Sequence, residues 1–156
     1  MWSDKAQEAF DLLKQAMVQA PVLTLLDFAL PFVIETDASD VGLGAVLLQK
    51  ERPIAFYSKA LSGRSLTLSA YEKEMLAIVH AVTKWRPYLL GRHFIIRTDH
   101  QPLKYFHDQR ISTPAQQRWV TKLMGYDYDL VYKRGFDNTV ADALSRRGAE
   151  VSLLGL

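Results

Sequence analysis

The stretch FVIETDAS, residues 32–39, returns almost unchanged as FIIRTDHQ at residues 94–101. Each is a short run of β-branched and aromatic residues that ends in aspartate, the composition of a strand stopping at a turn. Asp37 shares its alternation phase with Val33 and Glu35, and Asp99 shares its phase with Ile95 and Arg97. If the two strands are parallel neighbours, both carboxylates emerge on one side at the carboxyl edge of the sheet, where open α/β sheets hold ligands. One Thr-Asp dipeptide is accounted for by turn initiation. Two at matched phase point to a site. The likeness stops at the strands, since one leads into a hairpin and the other into a helix, so duplication is the weaker explanation.

Around these strands the pattern alternates between β and α. Asp4-Lys5-Ala6-Gln7 has the spacing of a capping box, and Ala6, Ala9, Phe10, Leu13, Ala16 and Met17 fall on one helical stripe that Ala20-Pro21 ends. Pro31–Asp37, Gly42–Gln49 and Pro53–Ser58 read as an antiparallel meander joined by tight turns. From Thr67 to Trp85 the period becomes helical, with Leu68, Tyr71, Met75, Ile78, Val79, Val82 and Trp85 on one face. Phe94–Asp99 is then a strand and Pro102–His107 a short helix. Thr113-Pro114-Ala115-Gln116 opens another helix that stops at Gly125. Tyr126, Tyr128, Leu130 and Tyr132 alternate with Asp127, Asp129, Val131 and Lys133 as a fifth strand, and Asn138 can cap a last helix through Arg146. The tail 148–156 has no assignment. This order describes an α/β protein, a mixed sheet covered by helices.

The composition, 156 residues with 49% hydrophobic and 23% charged, suits one globular domain with a core. The absence of cysteine excludes disulfides, thiolate catalysis and cysteine-based zinc sites. Pro21–Ile34, the longest mostly apolar stretch, is interrupted by Asp27 and too short to span a bilayer. With no stretch organised as a signal peptide, the expectation is a soluble intracellular protein without a membrane partner. Residues 1–83 hold 7 Lys/Arg against 10 Asp/Glu, a balance of −3, whereas residues 84–147 hold 12 against 6, a balance of +6. A basic half beside a few buried acids suggests a polyanionic partner.

Two neighbouring carboxylates raise each other's pKa unless a cation neutralises them. Without cysteine and with scattered histidines, oxygen ligands point to magnesium or manganese. Further acids must come from helices. Glu72 and Glu74 lie at opposite borders of the apolar stripe of the long helix, and periodicity does not choose between them, although the border of Glu74 also carries the small residues Ala70, Ala77 and Ala81. Asp142 sits one turn into the last helix, amid Val140, Ala141, Ala143 and Leu144, where the helix dipole alone would favour an acid.

The stretches TDASDVGLGAVLLQ (36–49), RPIAFYSKAL (52–61), YEKEMLAIVHAVTKWRPYLLGRHFIIRTDHQPL (71–103) and GFDNTVADALSRR (135–147) resemble the ribonuclease H domain of gypsy-type LTR retrotransposon polyproteins. The resemblance implies a ribonuclease H-like fold, with a five-stranded mixed sheet of order 3-2-1-4-5 and helices on both faces. It divides the chain into residues 1–28, a helix and connection leading out of a reverse transcriptase, a domain at 29–147, and a tail at 148–156. It also implies hydrolysis of the RNA strand of RNA–DNA hybrids with two magnesium ions, manganese being an alternative.

The motif Glu74-Met75-Leu76-Ala77 matches that family's helix motif and selects Glu74 over Glu72. The carried-over catalytic and metal-binding set is Asp37, Glu74, Asp99 and Asp142: Asp37 shared by both ions, Asp142 joining it on the water-activating side, Glu74 and Asp99 on the side of the leaving 3′ oxygen. Many ribonucleases H carry a mobile histidine before the last aspartate. Here Tyr132-Lys133-Arg134-Gly135-Phe136-Asp137-Asn138 has none, which leaves Tyr132, Lys133 or Arg134 to take its place. Ser39 and Asp40 are placed for backbone or hydroxyl contacts with a hybrid, and Arg118 and Lys122 for a phosphate track. The implied setting is a cytoplasmic virus-like particle, with the reverse transcriptase domain of the same polyprotein as partner. The alternatives are a non-catalytic ribonuclease H-like module that supports the polymerase or binds nucleic acid, and a strand-transfer enzyme, whose glutamate would follow the second aspartate rather than precede it.

Overall fold

A computed structural model describes residues 4–19, 25–100, 113–134, 139–146 and 151–154. Along the chain run α1 (Asp4–Gln19), β1 (Phe32–Ala38), β2 (Gly42–Gln49), β3 (Arg52–Ala60), a 3₁₀ turn (Gly63–Thr67), α2 (Ala70–Lys84), α3 (Arg86–Leu89), β4 (His93–Thr98), α4 (Pro114–Leu123), β5 (Asp127–Tyr132), α5 (Thr139–Ser145) and β6 (Val151–Leu154). The sheet order is β5-β4-β1-β2-β3-β6. Its first five strands reproduce the expected 3-2-1-4-5 order read from the other edge. The tail, left without assignment from sequence, adds β6 antiparallel to β3, pairing Ala55 with Leu154 and Ser58 with Val151. The expected helix over 102–107 and the Asn138 cap lie outside the described residues.

The hairpin from β1 to β2 and the hairpin from β2 to β3 are antiparallel, while β1, β4 and β5 run parallel. Gln49 pairs with Arg52 across a two-residue loop in which Lys50 and Glu51 both have positive φ, 49° and 59°. That is the handedness a two-residue turn needs to follow strand twist.

Strand alternation splits the apolar residues between two faces. Phe32, Ile34, Ala45, Leu47, Ala55, Tyr57, Phe94 and Ile96 form the larger core with Met75, Ile78, Val79 and Val82 of α2, with Trp85, and with Trp119 and Leu123 of α4. Trp85 and Trp119 are thus core residues. On the opposite face Val33, Val46 and Leu48 pack against Ala141 and Leu144 of α5. Helices cover both faces, as the resemblance implied.

The start of α2 differs from the periodicity reading. The helix begins at Ala70 rather than Thr67, because Ser69 is an N-cap: its Oγ accepts from the Glu72 N–H, and the Glu72 carboxylate accepts in return from the Ser69 N–H at 2.9 Å. Leu68 still packs against the core, which is why the apolar pattern extended past the true boundary.

Two glycines set how closely α5 approaches the sheet. A Cβ on Gly42 would stand 2.1 Å from the Ser145 carbonyl oxygen, and one on Gly44 would stand 2.2 Å from that of Ala141. The α5 backbone therefore rests directly on β2. Its last carbonyls, which no intrahelical N–H can satisfy, accept from strand-side hydroxyls: Ser58 Oγ donates to the Leu144 oxygen, and Ser39 Oγ to that of Ser145 at 2.7 Å. No helix among the described residues is long and apolar enough to cross a membrane.

Candidate metal centre

The matched alternation of the two quoted strands becomes spatial adjacency. β1 and β4 are parallel neighbours with Thr36 opposite Thr98, so Asp37 and Asp99 follow at the same level, at the carboxyl edge of the sheet. Glu74 comes from α2, on the other face. Ala77 and Ala81, on the same border of that helix, are fully buried. With no bulk between helix and sheet, the Glu74 side chain reaches the strand edge, where its Oε1 accepts from the Ala38 N–H at 3.1 Å. Asp37, Glu74 and Asp99 each offer a carboxylate oxygen, and these three oxygens lie within 4.8 Å of one another.

Such a cluster is unstable by itself. Asp37 and Glu74 are only 5% and 6% exposed. Burial, followed by the nearby charges of Asp99 and Asp142, pushes the Asp37 carboxyl up to about 6, against an opposing hydrogen bond from Ser145. Burial and the charges of Asp37 and Asp99 push Glu74 up to about 9. Asp99 is also raised, chiefly by burial. Glu74 Oε2 is buried without a hydrogen-bond partner among the described residues. Three converging carboxylate oxygens, one of them an orphaned acceptor, and no nitrogen or sulfur donor in the group make a set suited to a hard divalent cation.

Asp142 stands outside that trio. Its Oδ1 accepts from Arg146 Nε and Nη2, both at 3.0 Å, and its side chain is 42% exposed. It is near enough that its charge raises both Asp37 and Asp99. Glu72, the rival to Glu74, is half-buried and turns its carboxylate onto the Ser69 cap.

Sequence reasoning passed over Ser145. Its buried Oγ has two acceptors in reach, Asp37 Oδ2 at 2.7 Å and the Asp142 carbonyl at 2.8 Å, and so ties α5 to the carboxylate on β1. The signal available was its position three residues after Asp142. Arg97 and Lys133 are the other surprise. Glu35, two residues before Asp37 and 6% exposed, is paired with Arg97 Nη1 at 3.2 Å and with Lys133 Nζ, and Arg97 continues to Glu51 at 2.6 Å. Register explains part of this, since Glu35 and Arg97 are direct partners across β1 and β4. Lys133 is thus engaged with a structural acid, Tyr132 and Arg134 are exposed, and residues 135–138 lie outside the described residues.

Ser39 and Asp40 follow Asp37 in the turn to β2. The Ser39 hydroxyl accepts from the Gly42 N–H at 3.1 Å as well as donating to α5, so it is engaged within the protein, whereas the Asp40 side chain is fully exposed. Arg118 and Lys122 project from the exposed face of α4, with Gln117 and Thr121 beside them. Among the histidines, the His100 ring meets Tyr71 edge-on at 5.8 Å, His80 contacts the Tyr57 hydroxyl, and His93 pairs with Asp127 and Asp129 at the opposite end of β4.

Comparison with known proteins bears on the family. A family profile described as RNase H-like domain found in reverse transcriptase matches residues 27–126. The chain is 48% identical over 139 residues to the retrovirus-related Pol polyprotein from transposon 297 of Drosophila melanogaster, covering 89% of this chain and 13% of that polyprotein. It therefore spans about an eighth of that relative's length. Among solved structures, the foamy viral protease-reverse transcriptase in complex with RNA/DNA hybrid superposes with a TM-score of 0.61 at 18% identity, over 86% of this chain and 19% of that one. RNase H1 from Halobacterium salinarum superposes with a TM-score of 0.62 at 18% identity, over 76% of this chain and 96% of that one. At that identity the structural matches speak for the fold.

Proposed function

The chain belongs to the RNase H-like domain family found in reverse transcriptase, and from that premise we propose that it is a divalent-metal-dependent endonuclease for the RNA strand of RNA–DNA hybrids, working beside a polymerase domain of the same polyprotein. The observation that carries the reading is the trio of buried Asp37 and Glu74 with half-buried Asp99, and its orphaned Glu74 oxygen. Nothing in a merely structural sheet edge offsets the cost of holding such groups together. Together with Asp142, the trio would hold two magnesium or manganese ions, which supply stabilisation of both the entering and the departing oxygen of an in-line displacement.

The chain's own side chains set the rest. Asp37, on the strand between the other ligands, is the shared position. Asp142 would serve the water side, and Glu74 with Asp99 the side of the leaving 3′ oxygen. Ser145 orients Asp37, and Arg146 holds Asp142 at the rim. Arg118 and Lys122 lie along the exposed face of α4, where cations suit the phosphates of a hybrid read by shape. The test is a labelled RNA–DNA hybrid incubated with and without magnesium. Cleavage confined to the RNA strand and dependent on magnesium is the expected result. Hybrid binding without cleavage, also when the polymerase domain is joined to it, would favour a non-catalytic binding module instead.

The site also predicts a pH signature of stability. Asp37 and Glu74 have folded-state pKa values raised above their ordinary range. The folded state then binds more protons than the unfolded state, so stability falls as pH rises. The loss accumulates from the ordinary carboxylate range up through about 6 for Asp37 and about 9 for Glu74. A bound cation reverses this penalty and releases protons. Thermal melts should show Tm dropping between pH 5 and pH 9 without metal, and a magnesium-induced rise of several degrees, about 3 °C or more, that is larger at pH 9 than at pH 5. In Asp37→Asn the pH dependence should flatten and the magnesium effect shrink. Equal magnesium effects at both pH values would contradict a cation seated on these carboxylates.

A further inference from the structure

Lys73, the residue before Glu74, is 7% exposed. Its Nζ donates to the Asp40 carbonyl oxygen at 3.2 Å and stands 3.9 Å from Asp40 Oδ1, on a side chain that is fully exposed. A buried ammonium carries three donors and a desolvation penalty, and it is normally met by several acceptors or a close, buried carboxylate. One carbonyl and one long contact to a solvated carboxylate are thin compensation. The ammonium instead borders a cavity of about 210 Å³ lined by Ala38, Ser39, Asp40, Ala70, Lys73 and Arg146. That cavity starts at the residue after Asp37, so it adjoins the carboxylate trio. Ala70, one turn before Lys73, leaves it open on the helix side. Arg146 reaches it from α5, across the β1–β2 turn. Lys73 and Arg146, from helices on opposite faces of the sheet, thus line one space beside a polyanionic metal centre, wide enough for a phosphate group, with the Arg146 guanidinium also paired to Asp142.

We propose that Lys73 binds a phosphodiester of the hybrid next to the scissile bond, with Arg146 on the far wall, and so adds affinity for the strand that lies over the carboxylates. The inference rests on the hybrid-cleavage reading above. Lys73 acts on the substrate backbone, where a cation is read as charge and not as sequence.

Steady-state cleavage of an RNA–DNA hybrid by the whole chain, measured across a potassium chloride series, tests it. Lys73→Gln should raise KM about fivefold to tenfold with kcat within about twofold, and make the salt dependence of kcat/KM shallower by about one in log–log slope, the signature of one lost phosphate contact. Lys73→Arg should restore both. A second measurement uses hybrids with single neutral methylphosphonate linkages and Lys73→Met, whose unbranched stem suits the buried position if Lys73→Gln does not fold. One linkage beside the cut should weaken wild-type binding and leave the variant indifferent. If wild type cleaves but the variants keep its salt slope and its linkage sensitivity, or lose kcat together with Tm, Lys73 only staples the Asp40 turn and the proposal is overturned. If wild type neither binds nor cleaves a hybrid, the functional reading falls with it.

Discussion

Asp37→Asn should abolish magnesium-dependent hybrid cleavage, by about a thousandfold or more in kcat, on the order of 4 kcal/mol of barrier, and should leave the domain folded. The size follows from its place. Asp37 has Glu74 and Asp99 within 4.8 Å, and Ser145, which also reaches the Asp142 carbonyl, ties it to the helix that carries the fourth acid. The tolerance follows from its bonds. Ser145 Oγ donates to Asp37 Oδ2 at 2.7 Å, and an asparagine oxygen can accept the same bond. Removing a buried negative charge from a repelling trio also relieves strain on the metal-free fold, so at neutral pH the variant should melt no lower than wild type. Circular dichroism and a hybrid-cleavage assay on one preparation decide it. A folded variant that cleaves at the wild-type rate would remove Asp37 from the mechanism.

Glu74→Gln should be inactive to a similar degree, whereas Glu72→Gln should keep activity within about twofold. The two glutamates are two residues apart on one helix and have different work. Glu74 crosses to the strand edge, buried, with Oε1 on the Ala38 N–H. A glutamine keeps that acceptor and loses the charge a divalent ion needs, so the fold survives and the chemistry does not. Glu72 closes the capping box with Ser69. Glutamine is itself a capping-box residue, so the stability change there should stay below about 0.5 kcal/mol. Comparing kcat and Tm for the two variants separates the roles, and an inactive Glu72→Gln beside an active Glu74→Gln would reverse the assignment.

Asp37 and Asp99 were legible because strand alternation is strict, and two matched runs end in the same residue on the same phase. Glu74 was only half legible. Helical periodicity leaves the two borders of a stripe equivalent, and the choice came from a resemblance. Glu72 then proved to be half of a cap whose other half, Ser69, lies at the helix start that the apolar pattern had blurred. Asp142 was nameable, but its separation from the trio and its pairing with Arg146 were not. Ser145, Lys73 and the Glu35–Arg97–Lys133 group were missed because each acts through a partner distant in the chain.

By itself the sequence determined the alternating elements, the mixed sheet and the pair of aspartates, because those depend on local periodicity and on which side of a strand a residue points. Tertiary structure alone decided that α5 lies flat on β2, that the tail closes the sheet edge as β6, and how Glu74 reaches the Ala38 N–H at the strand edge. These depend on how closely two backbones approach. That distance is set by a missing Cβ at Gly42 and Gly44 and by small residues on α2, features that acquire meaning only when the facing element is present.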